Sequence, residues 1–522
     1  MSRANLLALF ALGLTVAIIV ASLQNSPGYM DADYYMAGGL RLVQGHGFSE
    51  MIVWNYLDDP QGLPHPSHSY WMPLASIIAA FGMWLTGQHD FYSARLPFIL
   101  LAGLVPPLTS LLAYRLTERR ELALLSGLLA AFPTYQVSYL ATTDNFVIYR
   151  LLGALFFLLL SKLSYKSAFF LGVTAGLMNL SRTDGILWLG LSLLAVILHL
   201  LSLYKFDFIH WRKPVWLLGF CVFAGFLLVT IPWFMRNLNE FGTLMAPGGS
   251  RAMLLVKYED TYIFPASQIT LERWLNSGWQ SILSARLNAL WLNLGTSFIV
   301  FWGIFLGPLV ILAAWKMRRD LRVQVGVLGF LALFSVMSLV FPFAGPRGSF
   351  LHAGVAFMPL GWALAPLGLE DVIAAARRRN WFTPQAQRIF RVILFAATLA
   401  LTLPLINIRV ADSDWDLSYQ TFLQVEKQLQ TVGAKPADTV MVTNPPGYFL
   451  ASERPAIASP DADLNNVFLA ARTYQARYLV LERTSIPERL VPFLEQRESS
   501  PYLKLVFADA QDIVIYEFIE AK

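Results

Sequence analysis

Eleven stretches of mainly apolar residues fill most of the first 410 positions. They lie near 5–23, 97–114, 122–139, 146–161, 167–181, 186–204, 215–235, 291–315, 324–343, 350–369 and 392–408. A helix needs about 20 such residues to cross the hydrocarbon core of a bilayer. A chain built this way cannot fold around one soluble core. Composition agrees: 14% of the 522 residues are charged and 56% are hydrophobic, against about 25% charged in ordinary soluble domains. One cysteine, Cys221, excludes a disulfide scaffold and any cysteine-based zinc or iron–sulfur site. The expected fold is therefore mainly α, a polytopic membrane protein with about eleven spans. The first apolar run follows a short basic start but lacks a clear small-x-small cleavage site, so it reads as a retained helix.

Charge divides the chain near residue 410. Residues 411–522 carry 10 Lys/Arg and 16 Asp/Glu, a net of −6; the remaining 29 and 18 give +11, and the sum is the chain's +5. This predicts a membrane domain over 1–410 and an acidic soluble domain over 411–522. The tail alternates strand-like runs (439–443, 478–482, 503–507, 513–518) with helical patterns (418–432, 463–474, 486–496), as a small α/β unit does. It has no glycine-rich phosphate loop and no histidine cluster, and reads as a docking or acceptor-positioning domain.

Basic residues set the expected orientation. Arg3 and the clusters 115–120, 162–166, 205–213, 316–322 and 377–391 hold 18 of the 29 Lys/Arg before residue 411. All share the inner side only if the apolar segment 71–87 is interfacial or re-entrant rather than a span. The N-terminus is then cytoplasmic and the 411–522 domain extracytoplasmic, in a plasma (inner) membrane. The long loops 24–96, 237–290 and 410–522 face outward.

Three groups of polar residues could carry chemistry. Asp31 and Asp33 stand in Gly28-Tyr29-Met30-Asp31-Ala32-Asp33-Tyr34-Tyr35, at the start of a helical pattern (33–44) beside the membrane. They are either a functional acid pair or a helix cap. His65 and His68 lie in His65-Pro66-Ser67-His68-Ser69-Tyr70-Trp71-Met72-Pro73. A His-x-x-His pair can bind metal, donate to a phosphate or stiffen a turn. The third group sits at expected outer helix ends: Asp144 with Asn145 and Arg150, Arg182 with Asp184, Arg236 with Asn237, Arg251, and Arg347 with His352. Such groups face a cavity or pair with one another. Arg347, beside a glycine turn, suits an anionic ligand because guanidinium matches phosphate in a bidentate way.

The order of these motifs resembles that of the GT-C membrane glycosyltransferases, in particular the protein O-mannosyltransferase and aminoarabinose-transferase-like group. The matching runs are Asp31–Tyr35, His65–Pro73, Ser93-Ala94-Arg95-Leu96-Pro97, Thr143-Asp144, and Pro232-Trp233 with Arg236-Asn237 and Phe241-Gly242. The resemblance covers about residues 1–410, more weakly in the second half.

It implies transfer of a sugar from a polyprenyl-phosphate donor to an acceptor hydroxyl of a protein, lipid or glycan on the outer face. The family's first-loop Asp is a general base and maps onto Asp31. Members usually have Glu next, where this chain has Ala32, so Asp33 is the second candidate. Members often carry a lysine in the segment matching 65–73. None is present here, which leaves His65, His68 or Arg347 to hold the phosphate, with Asp144, Arg182, Asp184 and Arg236 as further substrate contacts. A single activated acid and a phosphate leaving group predict inversion. No cofactor is required, and a divalent metal through Asp31, Asp33 and Asp144 is admitted but not demanded. The partners implied are the bilayer, the lipid-linked donor and the acceptor, with no nucleic acid. A polytopic transporter and a non-catalytic envelope scaffold are the alternatives.

Overall fold

The structure is a computed structural model. It describes the chain except for residues 205–207, 342, 344–347, 384, 413, 484–485, 510–512 and 520–522. The chain divides into two compact units, neither continuous in sequence. One comprises 1–23, 95–244 and 286–413; the other comprises 24–94, 245–285 and 414–522.

The first unit is helical, and the protein is a multi-pass membrane protein. Among the described residues, seven helices are long and apolar enough to span: Arg3–Ser22, Phe91–Thr117, Thr183–Tyr204, Lys213–Phe241, Leu321–Leu339, Ser349–Arg378 and Ala386–Ala411. An eighth is the pair Trp279–Phe301 and Leu306–Lys316, bent by 93°. Of the eleven expected runs, eight form these helices, the bent pair counted as one, and three form shorter ones. The run 122–139 is broken at Pro133 into Arg120–Ala131 and a 3-10 turn, Thr134–Tyr139. The other two are Asn145–Leu159 and Tyr165–Ser181. Seventeen residues at about 1.5 Å each reach ~25 Å, short of the ~30 Å hydrocarbon core. The doubtful segment 71–87 is shorter still, a 13-residue helix, Leu74–Thr86.

Small residues let these helices approach closely. A Cβ added at Gly172 would lie 2.0 Å from the Val222 carbonyl oxygen, and one added at Gly225 would lie 2.0 Å from that of Phe169. Tyr165–Ser181 and Phe208–Phe241 therefore pack backbone to backbone. The other flank of the long helix is exposed at Trp216, Phe220 and Leu228, as a lipid-facing surface requires.

The second unit is built on a six-stranded sheet. Its strands lie in the order β2 (Ile52–Val53), β5 (Ala456–Ala458), β4 (Thr439–Val442), β6 (Ala476–Glu482), β8 (Ile513–Phe518), β7 (Leu503–Ala508). The first four are parallel; β8 and β7 are antiparallel additions. A two-stranded ribbon joins β1 (Ser49–Glu50) to β3 (His65–Pro66). The tail strands fall where alternation placed them, apart from short β5. The edge strand β2 comes from the first long loop, so the compact unit does not follow a single cut at residue 410. The segment 245–285 joins the same core: the Phe264 ring lies 4.9 Å from Tyr56 and 5.8 Å from Tyr474. Three distant parts of the chain share that core with Met441, Ile457, Leu479 and Phe493.

Candidate functional site

The acid motif opens the helix Met30–Val43. Its N-cap is Tyr29, whose side chain makes no capping hydrogen bond, and both Asp31 and Asp33 lie in the first turn. The cap alternative is therefore not realised, although two carboxylates there still complement the helix dipole. Their surroundings differ. Asp33 is buried and accepts a hydrogen bond from Asn444 Nδ2 at 2.9 Å. Burial pushes its carboxyl up to about 7, with the Asn444 bond pulling the other way. Asp31 is half-buried. Residues two apart on a helix point roughly 200° away from each other, so one acid can be sealed while its neighbour is not. The charge of Asp31 also helps to raise the Tyr258 hydroxyl, whose shift comes first from burial.

Both histidines of the first loop have internal work. His65 Nε2 lies 2.8 Å from the Ile52 carbonyl and 3.2 Å from Glu50 Oε1, and Nδ1 lies 3.1 Å from the Pro66 carbonyl. The His68 ring bridges Ser67 Oγ at 2.7 Å and Ser76 Oγ at 3.0 Å, and its amide donates to the Tyr34 hydroxyl at 2.8 Å. Both rings are buried. They are placed to hold the loop over an aromatic floor in which Trp54 and Trp71 stack at 3.8 Å. Arg251 donates to the Leu57 carbonyl at 2.6 Å.

The membrane unit gathers a second polar group. Asp144 caps the helix Asn145–Leu159, accepting from the Asn145 amide at 2.5 Å. His352 Nδ1 lies 3.7 Å from Asp144 Oδ2. The His352 ring stacks on Phe146 at 4.3 Å, and Phe146 stacks on Tyr139 at 4.2 Å. Arg182, at the C-cap of Tyr165–Ser181, bonds Asp184 at 2.8 Å and reaches the Ser349 carbonyl at 3.4 Å. Ser181 Oγ donates to Asn145 at 2.8 Å. Asp144, Arg182, Asp184 and His352 are thus brought to neighbouring helix ends. Arg236 is elsewhere: its guanidinium lies 4.8 Å from both the Trp233 and the Phe241 rings and bonds Asn237. Arg347 lies outside the described residues.

Two residues not singled out from sequence belong with these groups. Arg409 sits 3.7 Å over the Tyr135 ring and donates to the Tyr139 hydroxyl at 2.8 Å. Its signal was a lone cation directly after the last apolar run. Asn444 precedes Pro445-Pro446-Gly447, a pattern that announces a helix start. Nothing in that pattern announces Asp33.

The sequence matches no family model and no curated protein. Solved structures do resemble this one. The Archaeoglobus fulgidus oligosaccharyltransferase in its apo form matches with a TM-score of 0.59 at 13% identity, over 92% of this chain and 70% of that one. ArnT from Cupriavidus metallidurans bound to undecaprenyl phosphate matches with a TM-score of 0.58 at 13% identity, over 99% of this chain and 98% of that one. The fold is that of the GT-C membrane glycosyltransferases. The GT-C likeness, expected from the order of motifs over 1–410, extends through the tail as well. The oligosaccharyltransferase AglB from the same archaeon, in complex with an inhibitory peptide and a dolichol-phosphate, also shares the GT-C fold, with a TM-score of 0.57.

Proposed function

We propose that this chain is a membrane glycosyltransferase that moves a sugar from a polyprenyl-phosphate donor to an acceptor hydroxyl, with inversion. The observation that carries this reading is the end-to-end likeness to ArnT bound to undecaprenyl phosphate, which spans 99% of the chain. Asp31 is the base: it is the less buried acid of the motif, while Asp33 is held by Asn444. In the proposed step Asp31 takes the acceptor's hydroxyl proton as the oxygen attacks the anomeric carbon. The bond from that carbon to the phosphate oxygen breaks, and polyprenyl phosphate leaves with the electron pair. The departing charge calls for a cationic partner such as a guanidinium, which matches phosphate in a bidentate way. His65 and His68 hold the loop rather than the phosphate. No step needs a metal, so transfer should survive EDTA, and loss of transfer that added divalent cation restores would overturn that point.

The N-terminus is cytoplasmic and the second unit extracytoplasmic in this reading. The test uses membranes containing the full chain, incubated with undecaprenyl phosphate carrying mannose, glucose or 4-amino-arabinose. Consumption of one donor by the wild type and none by Asp31→Asn is the expected result. Consumption of none by either, or equal consumption by both, would sink the assignment.

A further inference from the structure

We propose that Asn444, in the tail, is a positioning residue of the acid motif: its amide fixes the Asp33 carboxylate and thereby sets how Asp31, on the same helical turn, is presented. The catalytic half of this inference rests on the function proposed above; the pairing itself does not.

Asn444 has two tasks that can be separated. Its Oδ1 accepts the Gly447 amide at 3.1 Å, capping the helix Pro445–Ser452, while its Nδ2 donates to Asp33 at 2.9 Å. The approach is tight on every side. A Cβ added at Gly447 would lie 2.8 Å from Asp33 Oδ2, 2.7 Å from Asn444 Nδ2 and 2.7 Å from the Phe422 ring. Only glycine lets that helix start meet the carboxylate.

The segment before Asp33 is clamped from the tail too. Trp415 Nε1 donates to the Ser26 carbonyl at 3.0 Å, and its indole leaves no room for a Cβ at Gly28, which stands at φ +88. Asp416 accepts from the Asn25 amide at 3.2 Å, the Asn25 side chain at 2.9 Å and Ser26 Oγ at 2.7 Å. Residues 25–33 are therefore gripped at both ends by residues 415–447.

The groups around Asp33 explain why one amide matters. The helix Leu74–Thr86, packed against the acid helix, carries no ionisable residue. From Leu417–Thr431, Tyr419 feels the Asp33 charge. Tyr448 bonds Glu426, and Glu50 lies against His65. Asn444 is the hydrogen-bond donor that opposes the effect of burial on Asp33.

The experiment measures the apparent melting temperature of the detergent-purified full chain between pH 5 and 9, together with kcat and KM for the donor that the wild type consumes. Asn444→Ser keeps a good cap but cannot reach Asp33. Asn444→Asp also keeps the cap and adds a second carboxylate beside the first, which raises the pair further. The pH at which melting temperature drops should move up by about one unit in Asn444→Ser, since a hydrogen bond to a charged group contributes roughly that much, and by more in Asn444→Asp. Neither change should shift it in an Asp33→Asn background. The kcat of Asn444→Ser should fall about tenfold with donor KM unchanged.

An unshifted pH profile, an equal shift in the Asp33→Asn background, or an unchanged kcat each overturns the inference. If Asn444→Ser does not accumulate, Gly447→Ala, which leaves Asn444 in place and crowds the same carboxylate, must reproduce the shift, and failure to do so also overturns it. Full activity of Asp31→Asn would instead defeat the proposed function and leave the Asp33–Asn444 pairing standing.

Discussion

Two carboxylates two residues apart have opposite fates, and each fate makes its own prediction. Asp31→Asn should lower donor consumption by about a hundredfold or more, the usual scale of a lost general base, with unchanged membrane insertion. Asp33→Asn, an isosteric change at a sealed position, should keep far more activity; a dead Asp33→Asn beside an active Asp31→Asn would exchange the two roles. Asp33 also bears on stability, as does Glu482, which burial pushes up to about 7 in the sheet. A carboxyl raised by folding favours the native state while protonated, and that contribution is lost as pH rises from about 4 through about 7. The apparent melting temperature should therefore fall across this window, and Asp33→Asn and Glu482→Gln should each flatten the slope. A slope that survives both substitutions would assign it to other groups. Asp31 and Asp33 were legible in sequence because both lie on one short motif. The partner of Asp33 was not, because it stands 411 residues away and hydrogen-bond partners across such distances leave no local pattern.

At the level of elements, glycine placement decides which helices pack. Gly172→Val drives a side chain into the Val222 backbone and should cost about 1–3 kcal/mol or more, as overpacking does. Gly190→Ala, in the helix Ile186–Tyr204 with nothing within 4 Å of the added Cβ, should be neutral or slightly stabilising, since alanine is the better helix former. Thermal melts of the two purified variants compare them directly; equal midpoints would contradict the packing argument. Apolar runs located the helices well but not their lengths. Pro133 cuts one run, and Asp144 starts another with a side-chain cap. In the tail, β4, β6, β7 and β8 were readable from alternation. The strand β5 is three residues long and β2 is two, too short for a period of two to register. β2 also lies inside a loop whose composition resembles the membrane part.

For the molecule as a whole, the charge asymmetry leads to a topology experiment. With Cys221 replaced by Ser, a cysteine at exposed Lys427 should react with a membrane-impermeant maleimide on intact cells. One at exposed Lys162 should react only after permeabilisation. The reverse pattern would invert the proposed orientation. The composition break near residue 410 lies beside the unit border at 413/414, and the second unit also takes in 24–94 and 245–285, because composition follows solvent and lipid rather than the path of backbone pairing. One consequence concerns synthesis. Val53 pairs with Ile457, 457 − 53 = 404 residues later. At about 5–20 residues per second, the first loop waits on the order of 20–80 s for the strand that completes its edge. A nascent chain interrupted before residue 415 carries the acid motif without its clamp. The acid motif is in this sense left unclamped until the last fifth of the chain has been made.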